Sequence, residues 1–129
     1  VDEAEQKLRA AIAANPRDGR LRLRLGDLYF RRVWRKAAIR EWGEALRLDA
    51  NLRHDAHLQQ AMCACLDARS NAEAQRLLLT RFGVGVVGVM NDCIRRTRDH
   101  DVLHAAVQVI ENAGGAAKVD LALVALTLA

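Results

Sequence analysis

Proline is almost missing from this chain: Pro16 is its one copy in 129 residues. Proline removes a backbone donor and breaks helices, so its rarity leaves long stretches free to coil. Serine is equally scarce, with Ser70 alone, and the threonines are Thr80, Thr97 and Thr127. Hydroxyl-nucleophile chemistry therefore has little raw material, and the spacing assembles no activated pair. The chain reads as a non-enzyme. Aromatic residues make up 4%, few for a surface that stacks successive bases, so a nucleic-acid partner is expected less than a protein one. The longest uninterrupted apolar stretch, Gly83 to Met90, falls far short of the ~20 residues that cross a bilayer. The N-terminus has no charged-then-apolar leader pattern. A soluble, cytoplasmic protein with no membrane partner is expected. The chain opens at Val1 directly in a helical pattern, which reads as a piece cut from a longer polypeptide.

Cysteine is sparse as well, with Cys63, Cys65 and Cys93 forming an odd set. Cys63 and Cys65 would lie on nearly opposite sides of one helix. The expectation is therefore reduced thiols packed as small hydrophobes rather than a disulfide framework.

What is present is 51% hydrophobic and 28% charged, the range of an ordinary folded domain. Long Ala/Leu/Arg stretches favour helix, because these side chains lose little freedom there. The net charge of +4 is unevenly placed: residues 1–53 hold 13 Lys/Arg against 8 Asp/Glu, and residues 54–129 hold 7 against 8. Ala4, Ala11, Ile12, Asn15 and Pro16 recur 34 residues later as Ala38, Ala45, Leu46, Asp49 and Ala50. A lag of this size belongs to arrays of helix pairs, each of which must stack on a neighbour to bury its apolar face.

Apolar periodicity predicts eight helices. The first runs from Asp2 to Ala14, with Leu8, Ala11 and Ile12 inward, and Asn15-Pro16 ends it. After the Arg17-Asp18-Gly19 turn, Leu21, Leu25 and Leu28 mark the buried face of a second helix ending near Arg32. A third, Trp34 to Leu48, turns Ala38, Ile39, Trp42, Ala45 and Leu46 inward. A fourth, Leu52 to Ala68, buries Leu58, Ala61, Met62 and Leu66. Ser70 and Glu73 predict a capping box for a fifth that ends near Phe82, with Gly83 as the stop. Val86, Met90 and Cys93 stripe a sixth, to about Thr97. Asp99 or Asp101 caps a seventh, carrying Val102, Ala106, Val109 and Ala113 inward. The last spans Ala116 to Leu128, with Leu121, Val124 and Leu128 inward.

Leu25-Gly26, Tyr29, Ala38, Ala45, Leu46, Asp49 and Asn51 give residues 19–52 a pattern that resembles a tetratricopeptide repeat. Residues 4–18 resemble the second helix of a preceding repeat, ending in Asn15-Pro16, and a degenerate third repeat extends to about Phe82. In this chain Ala50 takes the place of the repeat's usual proline, and Trp34 lies one residue off the aromatic site before the first alanine. Residues 83–114 resemble, more loosely, a HEAT-like helix pair, with Asp99-His100-Asp101-Val102 opening the second helix and Ala105, Ala106, Ile110 and Gly114 following. The resemblance implies an all-α, right-handed α-solenoid of about eight antiparallel-stacked helices: tetratricopeptide-like over 1–82 and HEAT-like over 83–129. It also implies a protein-binding scaffold, by analogy with helical arrays in large bacterial signalling proteins.

The same resemblance places the first helix of each unit along a concave groove. The matching positions are Arg20, Leu23, Arg24, Asp27, Phe30 and Arg31, continued by His54, His57 and Leu58. Arg20, Arg24, Asp27 and Arg31 follow helical spacing on one stripe, opposite Leu21, Leu25 and Leu28. Guanidinium forks match carboxylates bidentately, so an acidic or amphipathic peptide is the expected guest. The alternatives weighed against it are a nucleic-acid-binding repeat module and a structural spacer or oligomerisation segment.

Three other constellations read as structural. Gly83-Val84-Gly85-Val86-Val87-Gly88 has the glycine spacing of a dinucleotide-binding turn, but a helix rather than a strand precedes it, so tight packing by small residues is expected instead. His100, His104 and Glu111 lack a fourth ligand, and His100 is expected in the cap rather than the helix. Cys63, Cys65, His54 and His57 point in divergent directions. Neither a cofactor nor a metal is expected.

Overall fold

The structure, a computed structural model, describes residues 2–113. These form α1 (Glu3–Ala14), α2 (Gly19–Arg31), α3 (Arg35–Leu48), α4 (Ala56–Ala64), α5 (Asn71–Arg81), α6 (Val86–Arg96) and α7 (His100–Asn112). Short 3-10 turns cover Ala50–His54 and Gly83–Gly85, and there is no strand among the described residues. The chain is all-α, as its composition predicts. The eighth predicted helix, with Leu121, Val124 and Leu128, lies outside the described residues. No described helix is long and apolar enough to cross a membrane. Packing divides the chain into two compact units, Val1–Leu58 and Gln59–Ala129, a boundary that falls inside the 1–82 segment expected from the repeat pattern.

In the first unit, α1 begins where Asp2 Oδ1 accepts the Ala4 N–H at 2.7 Å, satisfying one of the donors that a helix start leaves open. Asp18 does the same for α2, accepting the Arg20 N–H at 3.1 Å. Helices α2 and α3 pair antiparallel, and Leu25, Leu28, Tyr29, Ala38, Ile39, Trp42, Ala45 and Leu46 are all buried. Full burial of such side chains contributes about 1.5–3 kcal/mol each for the larger ones. Leu21 is half-buried rather than buried. The two helices approach closely at Gly26 and Ala38: a Cβ on Gly26 would sit 2.4 Å from Trp42 Cδ1 and 3.1 Å from the Ala38 carbonyl. Gly19 does the same at the other end, 2.9 Å from the Ala45 carbonyl. It opens α2 as a packing residue, where the sequence reading has only a turn.

α1 is tied to the far end of α2 by a polar clamp. Arg32 meets Asp2 and also Glu5, the latter at 3.0 Å. Arg9 donates to the Tyr29 hydroxyl and pairs with Glu5.

The fourth predicted helix is corrected at both ends. Asp49 Oδ1 accepts the Asn51 N–H and starts a 3-10 turn, then Asp55 Oδ1 accepts the Leu58 N–H at 2.8 Å, so α4 starts four residues later than predicted. Two Asx contacts break the segment where apolar periodicity alone reads through. Its inward set, Leu58, Ala61, Met62 and Leu66, is nonetheless buried.

In the second unit the predicted capping box is absent. Ser70 precedes α5 but makes no side-chain cap bond. Its buried Oγ lies 2.7 Å from the Cys65 carbonyl and 2.8 Å from Asp67 Oδ1, so the hydroxyl closes the α4–α5 turn instead. Asp67 also accepts the Arg69 and Ser70 N–H groups. Gly83 ends α5 in the left-handed region at φ 63°, as the stop signal requires. The second correction concerns cysteine: Cys63 is disulfide-bonded to Cys93, with Cα atoms 5.6 Å apart. The reading of three reduced thiols weighed only the local pair Cys63/Cys65 and had no view of α6 beside α4. Cys65 is buried outside the disulfide.

α6 packs on α7, and α7 also packs on α5. Val86, Met90, Cys93, Val102, Ala106 and Val109 are buried as predicted. Ala113 is exposed, and Ala105 and Ile110 fill the inner face of α7 instead. Asp99 caps α7 by accepting from Asp101 and Val102, which makes His100 the first helical residue rather than a cap residue.

Tight packing by the glycines of residues 83–88 is also corrected. A Cβ on Gly83, Gly85 or Gly88 would meet nothing within 4 Å, and Val84 is fully out in solvent. Helix α5 comes before this segment, so the strand that a dinucleotide turn demands is not there.

Candidate interaction face

Helix α2 shows three faces because its residues step by 100° each. Leu25, Leu28 and Tyr29 turn inward, Gly19 and Gly26 meet α3, and Arg20, Arg24, Asp27 and Arg31 occupy the third. Arg20, Arg24 and Arg31 are exposed and Asp27 is half-buried.

Several arginines of the first unit are ion-paired. Arg9, Arg22, Arg32 and Arg47 have carboxylate partners: Arg22 pairs with Glu41 at 2.9 Å across α2 and α3, Arg47 with Glu44, and Arg9 and Arg32 sit in the clamp described above. Arg20 and Arg24, one helical turn apart, have no ion pair among the described residues.

Asp27 is the one acid on the stripe. Its Oδ1 accepts the Trp42 indole N–H at 3.1 Å and faces His57 Nδ1 at 3.9 Å. Burial raises its pKa above the ordinary carboxylate value, while the Trp42 hydrogen bond and the charges of His57 and Arg31 pull the other way and the charge of Asp55 adds to the rise. The net direction is upward. A carboxylate partly removed from water is harder to ionise unless cations fully compensate, and here they do not.

Of the other expected groove residues, His54 and His57 are exposed. Phe30 is half-buried, its ring 5.6 Å from Trp42 and covered on one side by the Arg35 guanidinium at 5.4 Å. Leu23 and Leu58 are buried, so their side chains belong to the interior rather than to a solvent-facing wall. The structure thus brings together Arg20, Arg24, Asp27 and Arg31 along α2, with His57 beside Asp27. It leaves Phe30 as the apolar group within reach of solvent there. The sequence reading missed Trp42 as the anchor of Asp27. Its signal was present, since a buried Trp needs an acceptor for its N–H and Asp27 is the acid facing α3.

No group of three or more His, Cys, Asp or Glu side chains suited to a metal ion occurs among the described residues. Against known proteins, the chain matches no family model, no curated sequence and no solved structure.

Proposed function

We propose that this chain is a protein-interaction module built as a tetratricopeptide-like solenoid, and that the α2 face captures an acidic or amphipathic segment of a partner protein. The observation that carries the reading is the pair of exposed guanidiniums at Arg20 and Arg24, one helical turn apart on α2 and without an ion pair among the described residues. Arg9, Arg22, Arg32 and Arg47 are engaged within the fold, whereas Arg20 and Arg24 stand open to a partner. Support for the repeat architecture comes from the antiparallel α2–α3 pair and from the small residues Gly26 and Ala38 at its closest approach.

The energetics favour a weak, salt-sensitive complex. Three exposed arginines contribute about 0.2–1 kcal/mol each, and the accessible part of Phe30 adds about 1–2 kcal/mol. With Leu23 and Leu58 turned inward, the total comes to about 2–5 kcal/mol, a Kd no tighter than about 0.2 mM. Tighter capture requires several such contacts along one partner.

The cysteines bear on the compartment more directly than the hydropathy does. The Cys63–Cys93 bond favours an oxidising environment over the reducing cytoplasm expected from the sequence. Mass spectrometry of the native protein after alkylation, without reductant, tests this: one alkylated cysteine supports the oxidising compartment, and three support the cytoplasm. For the binding reading, the test is capture of host proteins on the immobilised chain, compared with the Arg20→Glu/Arg24→Glu variant. Acidic partners should be lost from the variant, and an unchanged set of partners would contradict the reading.

A further inference from the structure

The turn between α2 and α3 goes against local preference in three ways within four residues. α2 ends with the Val33 N–H donating to the Phe30 carbonyl and the Trp34 N–H donating to the Tyr29 carbonyl, both at 2.9 Å. The Tyr29 and Trp34 rings touch, with centroids 5.7 Å apart. This is a Schellman ending, whose left-handed position ordinarily takes glycine. Here the position holds Val33 at φ 65°, a β-branched residue in a region its Cβ makes unfavourable. α3 then starts from Trp34 with no side-chain cap bond. Its first turn carries Arg35 and Lys36, cations at the positive end of the helix dipole. Clustered departures from local preference are a pointer to function.

What they achieve is exposure. Val33 is 70% and Trp34 53% accessible, side by side at the tip of the α2–α3 hairpin. Arg32, fixed by Asp2 and Glu5, lies over the Trp34 ring at 5.2 Å and holds the indole in place.

We infer that this tip is a peripheral docking surface for an anionic lipid bilayer. The tip of a two-helix hairpin is convex, so it suits a broad deformable surface better than the side chains of a bound peptide. The charge is complementary: besides Arg32, which Asp2 and Glu5 engage, four cations, Arg31, Arg35, Lys36 and Arg40, and no carboxylate lie between Asp27 and Glu41, and Arg31, Lys36 and Arg40 are exposed. The acids that α1 brings to this end are already engaged, Asp2 and Glu5 by Arg32 and Glu3 by Lys7. Tryptophan is at home at the headgroup boundary, and valine beside it enters the apolar layer. A nucleic acid would satisfy the cations but leave Val33 without an apolar partner. Peripheral contact needs no spanning helix, and juxtaposed Lys/Arg hold a protein to anionic headgroups.

The experiment uses the full chain and two vesicle preparations, one of phosphatidylcholine alone and one containing phosphatidylglycerol. Trp42 is fully buried, so a change in tryptophan emission on adding vesicles reports Trp34. The expected result is a blue shift and co-sedimentation with the anionic vesicles, weakened by salt, and neither with the neutral ones. Val33→Gly, which should leave the helical circular dichroism unchanged, should lower the partition about tenfold. Lys36→Ala should lower it roughly fivefold. Equal binding to neutral vesicles, undiminished binding by both variants, or binding to an acidic peptide or an oligonucleotide with none to anionic vesicles would overturn the inference.

Discussion

Single side chains in the first unit carry identifiable strain and identifiable charge, and each gives a measurable consequence. Val33 occupies a backbone conformation that glycine adopts without penalty. Val33→Gly is therefore expected to raise stability by about 1 kcal/mol, since relief of the left-handed strain exceeds the added freedom of the unfolded chain. A thermal melt of the two proteins checks this, and a lower Tm for the variant would refute it. Asp27 gives a pH signature. Its folded-state pKa lies above the ordinary value of 3.8, so the stability that this group contributes is fully present below that pH and is lost as pH rises through the folded value. Asp27→Asn keeps an acceptor for the Trp42 indole and removes the titration. Denaturant unfolding of both proteins from below pH 3.8 upward should show the wild type losing stability relative to the variant as pH rises. A constant difference would contradict the burial assigned to Asp27.

At the scale of helices, two glycines that look alike in sequence behave oppositely. Gly26 is pressed against Trp42 and Gly88 faces open space. Gly26→Ala should destabilise the chain by about 1–3 kcal/mol through overpacking, whereas Gly88→Ala in α6 should stabilise it by about 0.5–1 kcal/mol. Chemical denaturation of the two variants decides the matter. The contrast also shows what the sequence could and could not tell. Apolar spacing placed α3 within a residue and named its five buried side chains, because a helix paired with an amphipathic neighbour must bury one stripe. It also foresaw Gly26 through the repeat pattern. It misread the residue 83–88 glycines as packing residues, because small size is equally compatible with a tight contact and with no contact at all. It ran α4 straight through Asp55, since side-chain competition for backbone donors leaves no trace in hydropathy. At Ser70 the short polar side chain had two possible employers, the α5 N–H groups and the Cys65 carbonyl, and only the fold chose between them. The α2 arginine stripe was legible from periodicity, but the inward turn of Leu23 was not, because it lies where either side of the helix could be covered; Leu58 was already read as inward on α4, and only the repeat match carried it into the groove.

For the molecule as a whole, the disulfide and the basic face set the behaviour. The Cys63–Cys93 bond closes a separation of 30 residues, and a loop of that length is worth about 3–4 kcal/mol in chain-entropy terms. Cys63→Ser/Cys93→Ser should lower the unfolding free energy by about that amount, as read by urea titration, and an unchanged midpoint would remove the stabilising role. The interaction reading stands on Arg20 and Arg24. Its most direct test is a nuclear magnetic resonance titration of the isotope-labelled chain with a synthetic peptide of alternating glutamate and leucine. The amides of α2 around Arg20, Arg24 and Asp27 should shift with a submillimolar to millimolar Kd that weakens with salt, and Arg20→Glu/Arg24→Glu should abolish those shifts while keeping the helical spectrum. Shifts that survive in the variant, or that fall elsewhere on the chain, would contradict the assignment of this face.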